Sequence, residues 1–276
     1  MSSDFSEETA TDAVVQSFAA TPDDRLREVM ASLTRHLHRF VRDVEPTLDE
    51  WGAAIAFLTA VGQMSDERRQ EFILLSDVLG VSMLVDAINN RLPVGATEST
   101  VLGPFHVVDS PARELGDDIA ADPDAPRCLV RGRVLDLDGA PVPGALVDVW
   151  QADDQGQYDV QKSDGPDLDL RGLFTTDDEG RFWFRTIVPA HYPIPDDGPV
   201  GALLRATGRH PYRPAHIHLI AGAEGHQPVT THVFIEGSPY LDDDTVFGVK
   251  QSLVRPVTEV DGEATLEVDL TLIRIA

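Results

Sequence analysis

The chain of 276 residues carries 47 acidic against 22 basic side chains, a formal charge of -25. That balance argues against a nucleic-acid partner and against electrostatic binding to anionic membrane headgroups, while 42% hydrophobic residues suffice for a globular core. No run of about 20 apolar residues is long enough to span a membrane, and the first residues lack the basic and apolar regions of a secretion signal. The one cysteine, Cys128, can form no intramolecular disulfide and reads as a small buried side chain in a cytoplasmic protein.

Residues 1–22 are polar and are expected to form a flexible arm. From Asp23 the apolar positions Leu26, Val29, Met30, Leu33, Leu37, Phe40 and Val41 recur at three- and four-residue spacing, the stripe of an amphipathic helix that Pro46 ends. Thr47 and Glu50 have capping-box spacing and predict a second helix to about Gly62. A third is expected over residues 65–90. The first helix mixes its apolar stripe with Arg35, His36, His38 and Arg39, a face suited to burial against a second subunit.

Beyond Arg91 the chain fills with Gly and Pro and loses helical periodicity. Short alternating or apolar runs at 129–135, 145–150, 181–188, 216–221, 231–236 and 264–275 read as strands joined by turns. Runs of strands without intervening helices predict an antiparallel β-sandwich. The expected fold is mainly β with an α-helical N-terminal unit: an arm over 1–22, a helical dimerisation domain over 23–95 and a sandwich catalytic domain over 96–276.

Within Arg213-Pro214-Ala215-His216-Ile217-His218, strand alternation turns His216 and His218 to one face and Ile217 to the other. Two imidazoles side by side make half of a metal site. Two of the four tyrosines, Tyr158 and Tyr192, fall in loops at strand ends, where a rigid scaffold displays chemistry. A free phenol ionises near pH 10, about three units above neutrality, so only a strongly Lewis-acidic ion holds it as phenolate. Two phenolates and two imidazoles suit ferric iron.

These residues carry a resemblance. Val147-Asp148-Val149-Trp150-Gln151-Ala152-Asp153 followed by Tyr158, then Tyr192-Pro193-Ile194-Pro195, then residues 213–218, together resemble the intradiol ring-cleaving dioxygenases. Residues 70–89 and the run Glu98-Ser99-Thr100-Val101-Leu102-Gly103-Pro104-Phe105-His106 look most like the hydroxyquinol 1,2-dioxygenase branch, so the likeness covers about residues 20–275. It implies a non-haem Fe(III) site ligated by Tyr158, Tyr192, His216 and His218. It also implies that Tyr192 acts as a base toward a catecholic substrate, and that Arg213 stabilises the electron-rich ring before O2 attacks.

The implied substrate pocket comprises Leu74, Asp77, Val101, Leu102, Gly103, Pro104, Phe105, Ile194, Pro195, Arg213 and Val246. Asp77 is the informative member, because a carboxylate there accepts a hydrogen bond from a third ring hydroxyl that catechol lacks. Hydroxyquinol is the first expectation; catechol or a chlorocatechol is the alternative, since residues 213–218 and 230–237 resemble those branches as well. The family further implies a homodimer through the N-terminal helices, with an apolar tunnel able to hold a phospholipid. Two other classes remain: a cupin-like metal enzyme using Glu224, and a non-catalytic binding sandwich.

Overall fold

The computed structural model describes residues 5–66, 69–162 and 168–275; the first four residues of the expected arm lie outside them. The chain divides into two compact units, Met1–Thr59 and Ala60–Ala276, a boundary well before the expected one near residue 95.

The first unit holds α1 (Ala10–Ser17), α2 (Asp24–Val44) and most of α3 (Leu48–Met64). Asp23 caps α2 by accepting the backbone N–H groups of Arg25 and Leu26, and Glu45 ends it in a left-handed conformation ahead of Pro46. The Thr47–Glu50 capping box forms in both directions: Thr47 N–H donates to the Glu50 carboxylate at 2.8 Å and Glu50 N–H to the Thr47 hydroxyl at 3.2 Å. Helix α1 corrects the expected flexible arm. It is tied to α2 by polar contacts, Arg42 donating to the Glu7 carbonyl at 2.6 Å and Thr11 lying 3.1 Å from His38 Nδ1, and apolar periodicity carries no signal of such contacts.

In the second unit the expected third helix is two, α4 (Glu71–Val78) and α5 (Val81–Asn89). Gly80 turns the chain between them at a positive φ of 69°, a conformation glycine adopts without steric cost. The apolar stripe runs on across the break and hides it. Among the described residues thirteen strands follow, with one further helix between the fifth and sixth: β1 (Cys128–Asp136), β2 (Leu146–Gln151), β3 (Arg171–Thr175), β4 (Arg181–Thr186), β5 (Tyr192–Pro193), α6 (Pro199–Ala206), β6 (Tyr212–Arg213), β7 (His216–Gly222), β8 (His226–Gln227), β9 (Val229–Ile235), β10 (Val254–Arg255), β11 (Val257–Val260), β12 (Glu263–Glu267) and β13 (Leu270–Arg274).

One sheet orders β11-β12-β1-β13-β8, with β4 also on β1; the other orders β10-β9-β7-β2-β3. Their facing sides share one core, Val130, Val134, Phe182, Phe184 and Leu266 meeting Val147, Val149, Phe174, Ile217, Leu219 and Val233. Phe174 and Phe184 stack across it with centroids 4.9 Å apart. The sheets are mixed, which corrects the antiparallel expectation: β12 and β13 run parallel to β1, and β10 runs parallel to β9. Alternation of side chains reports a strand's faces but not its direction, so the sequence pattern could not distinguish these pairings.

Helix α6 was not foreseen. Its N-cap is Gly198, which has no capping side chain, and Glu71 of α4 supplies the missing acceptor by taking the Val200 N–H at 3.1 Å. Glu71 is itself fully buried and held by Arg69 at 2.9 Å.

Candidate functional site

Strand β7 separates core from chemistry by alternation. Ile217, Leu219 and Ala221 enter the sandwich core, and His216 and His218 take the opposite face, both 1% exposed. The register places Trp150 of β2 and His232 of β9 on either side of His218. Trp150 stacks on the His218 ring at 4.6 Å and 13°, fixing its plane from one side, while His232 meets it edge-on at 4.1 Å.

One tyrosine arrives from a loop and the other from a two-residue strand. Tyr158 follows the turn after β2, is fully buried, and has Phe105 stacked on its ring at 4.5 Å. Tyr192 stands on β5, where it is the register partner of Arg213 on β6. Gly156 permits this approach, since a Cβ there would lie 2.7 Å from the Tyr192 Cβ and 2.9 Å from the His191 carbonyl. The four predicted donor groups thereby come together. His216 Nε2 lies 3.2 Å from His218 Nε2, His218 Nε2 lies 3.0 Å from the Tyr158 hydroxyl, and the two hydroxyls are 3.4 Å apart.

Proton placement follows from the outer partners. The Pro214 carbonyl, 2.7 Å from His216 Nδ1, can only accept, so Nδ1 carries the proton and Nε2 a lone pair. His218 Nδ1 lies 2.7 Å from His232 Nε2, and His232 Nδ1 lies 3.0 Å from the Thr100 hydroxyl. The Thr100 hydroxyl can donate or accept; with protons ordered outward along that chain, the order a metal ligand requires, His218 Nε2 is also a lone pair. Two imidazole lone pairs facing each other at 3.2 Å repel unless a cation lies between them. Burial acts in the same sense. It pushes His216, His218 and His232 well below the usual histidine pKa, with neighbouring cations adding to the effect, and so keeps the rings neutral as ligands must be. Burial, reinforced by Tyr192, pushes the Tyr158 phenol well above its ordinary value, and a firmly bound cation is what would reverse that.

His216, His218 and His232 also form a group whose ring nitrogens lie within 4.8 Å of one another. His232 is nevertheless not equivalent to the other two: its Nε2 is engaged with the outer nitrogen of His218, on the side away from the tyrosines. The sequence reading gave it no role. Its place two residues past Thr230 on an alternating strand was the available signal.

Arg213 is 3% exposed, with Nη1 at 3.2 Å from His216 Nε2. Asp244, also missed in the sequence, pairs with it, accepting from Nε at 3.1 Å and from Nη2 at 3.3 Å. This carboxylate raises the already high guanidinium pKa against the opposing effect of burial, so the charge is permanent.

The remaining predicted pocket residues fall in three places. Asp77, Val101, Leu102, Gly103 and Pro104 line a cavity of about 690 Å³ bounded by α4, α5 and the strand ends. Leu102 and Pro104 are the exposed members of that segment, and the Gly103 backbone abuts the ring of His218, a Cβ there falling 3.0 Å from its Cε1. Leu74, Ile194 and Val246 are buried, and Pro195 is half-buried beyond β5. Asp77 is 7% exposed, and its burial raises its pKa above the usual carboxylate value, partly offset by a hydrogen bond from Ser82 and by Arg213. Glu224, the cupin-type alternative ligand, is exposed in the turn after β7 and takes no part.

A sandwich presenting two buried phenols and two neutral imidazoles beside a buried arginine agrees with what the resemblance to ring-cleaving dioxygenases implies. The family model for dioxygenases matches residues 103–272 and that for the catechol dioxygenase N terminus matches residues 23–97; the chain belongs to the intradiol dioxygenases. It is 56% identical to hydroxyquinol 1,2-dioxygenase of Rhizobium sp. over 258 residues, 93% of this chain and 88% of that one. It is 51% identical to 6-chlorohydroxyquinol 1,2-dioxygenase of Cupriavidus pinatubonensis, over 98% of both chains. The crystal structure of hydroxyquinol 1,2-dioxygenase from Pseudomonas putida superposes with a TM-score of 0.92 at 46% identity, covering 98% of this chain and 99% of that one.

Proposed function

We propose that this dioxygenase acts on hydroxyquinol, benzene-1,2,4-triol, inserting both atoms of O2 and opening the ring between the adjacent hydroxyl-bearing carbons to give 3-hydroxy-cis,cis-muconate, the enol form of maleylacetate. The observation that carries the reading is likeness to hydroxyquinol enzymes along almost the whole chain, N-terminal helices included.

The resident metal we assign is non-haem ferric iron, held by Tyr158, Tyr192, His216 and His218. The donor set fits: two hard phenol oxygens and two imidazole lone pairs, converging at 3.0–3.4 Å in a buried cluster. When bound there, the ion supplies Lewis acidity, holding the phenols as phenolates and drawing electron density from a catecholate.

The chain's own residues then do the rest. The Tyr192 oxygen takes a proton from one substrate hydroxyl. Arg213 presents Nη1 to the negative charge that develops on the ring. Trp150 and Phe105 pin His218 and Tyr158 by stacking, so the donors are arranged before substrate arrives. The Asp77 carboxylate accepts a hydrogen bond from the third hydroxyl, a reading supported by its burial in the wall that also carries residues 101–104. With catechol the substrate's hydrogen bond to that acceptor would be lost. Competitive turnover tests the assignment: kcat/KM for hydroxyquinol should exceed that for catechol by about 10-fold or more, and equal values would overturn it.

Among the described residues no helix is long and apolar enough to cross a membrane, and we place the protein in the cytoplasm on its single, buried cysteine. We further assign a homodimer through the N-terminal helices, with room for a phospholipid between them. In support, Leu26, Leu33, Phe40 and Val41 of α2 and Trp51 and Ile55 of α3 are about half exposed or more. Sedimentation as a monomer at micromolar concentration, with an empty lipid extract, would refute this.

A further inference from the structure

We propose that Asp244 is the positioning residue of Arg213: its carboxylate takes one edge of the guanidinium and the loop beneath it in a single clasp, so that Nη1 faces the reacting ring. The inference rests on the role given above to Arg213.

The four contacts of the carboxylate make the case. Oδ1 accepts Arg213 Nε–H at 3.1 Å and Val246 N–H at 3.3 Å; Oδ2 accepts Arg213 Nη2–H at 3.3 Å and Gly248 N–H at 2.9 Å. Two protein groups thus approach each oxygen, and the pair is almost completely buried. The Nε/Nη2 edge of the fork is spent on Asp244. The group placed at the donor cluster is Nη1, 3.2 Å from His216 Nε2. A flexible arginine would otherwise sample several rotamers, and the fork geometry of a paired guanidinium selects one.

The same carboxylate shapes the loop. Phe247, between the two N–H groups it accepts, has a positive φ of 59°, a strained conformation for an aromatic residue that persists where its surroundings impose it. Thr245 N–H also donates to the Tyr212 carbonyl at 3.2 Å, tying the loop to the strand that carries Arg213. Gly248 completes the fit, because a Cβ there would lie 2.8 Å from Arg213 Nη2 and 3.1 Å from Asp244 Oδ2. Its neighbours are different: Asp242 and Asp243 are exposed, and Asp243 engages His210.

The test compares iron-loaded full-length Asp244→Asn, Gly248→Ala, Arg213→Ala and the double variant Arg213→Ala/Asp244→Asn with hydroxyquinol, reading kcat, KM, iron content and thermal midpoint. Asparagine keeps the size but turns an N–H donor toward groups that all donate; the alanine at 248 crowds the fork without changing charge. Asp244→Asn and Gly248→Ala should each lose roughly 10- to 100-fold in kcat, the scale of a small misplacement at a reacting centre, with KM and iron content little changed. Adding Asp244→Asn to Arg213→Ala should cost no further kcat and should raise the midpoint above that of Arg213→Ala alone, since the abandoned carboxylate is removed. An impaired Arg213→Ala beside an unimpaired Asp244→Asn overturns the proposal alone, as do kcat losses that multiply in the double variant. A wild-type kcat in Arg213→Ala overturns the role of Arg213 itself. Should Asp244→Asn fail to fold, Gly248→Ala decides, and wild-type kcat there counts against the clasp.

Discussion

His216 and His218 stand on a seven-residue strand paired along both edges, whereas Tyr192 and Arg213 stand on a two-residue ribbon whose neighbours are loops. Each half is held by a different kind of contact. On the strand side, ladder hydrogen bonds fix the backbone, and Trp150, His232 and the Pro214 carbonyl fix the rings. On the loop side there is little ladder, and side chains replace it: the Arg213–Asp244 pair, and Arg209, which donates to the Val78 and Thr245 carbonyls. The difference teaches a division of labour. On the proposed function, the imidazole donors lie on the sheet, and Tyr192 and Arg213, which exchange a proton or answer changing charge, lie where a few hydrogen bonds set their position.

If that division holds, damage to the two halves should look different. The largest effect is expected for His218→Ala, which removes a strand-borne donor: iron content should collapse and turnover fall by about 10³-fold or more. Retention of a full complement of iron would break the comparison. Arg213→Ala should keep the iron and its phenolate-to-metal absorption but lose about 10²- to 10³-fold in kcat, the scale for removing one oriented charge. It should also be less stable by about 3–5 kcal/mol, because Asp244 is left buried without its counter-charge; an unchanged unfolding midpoint would contradict that. Smaller again is His232→Leu, which leaves every donor in place but frees the His218 ring and its proton. Iron affinity should weaken by about 10- to 100-fold and be largely restored in His232→Gln, whose amide can still accept from His218 Nδ1. Equal affinities in all three proteins would remove His232 from the support of the site.

Much of this architecture was legible in the chain. The alternation around Ile217 announced two imidazoles on one face, and Thr47 with Glu50 announced a helix start that forms as written. Tyr158 and Tyr192 drew notice by their setting at strand ends, the family resemblance selected them as ligands, and the structure brings both to the histidines. Other features were silent for identifiable reasons. The break at Gly80 lay inside an unbroken apolar stripe, the cap of α6 comes from Glu71, 129 positions away, and α1 is fastened by polar groups of α2.

By itself, then, the sequence determined residue chemistry and local period: which strands have a dry face, which side chains share the other, and which donor types are available for a trivalent ion. Three consecutive aspartates, Asp242, Asp243 and Asp244, are indistinguishable at that level, as are the two nitrogens of each histidine and the direction of β12 beside β1. The tertiary structure decided all of these. Burial of Asp244 beside Arg213, protonation of His216 at Nδ1 and the parallel course of β12 each depend on groups that meet only when the chain folds, and local periodicity specifies a face without specifying its partner.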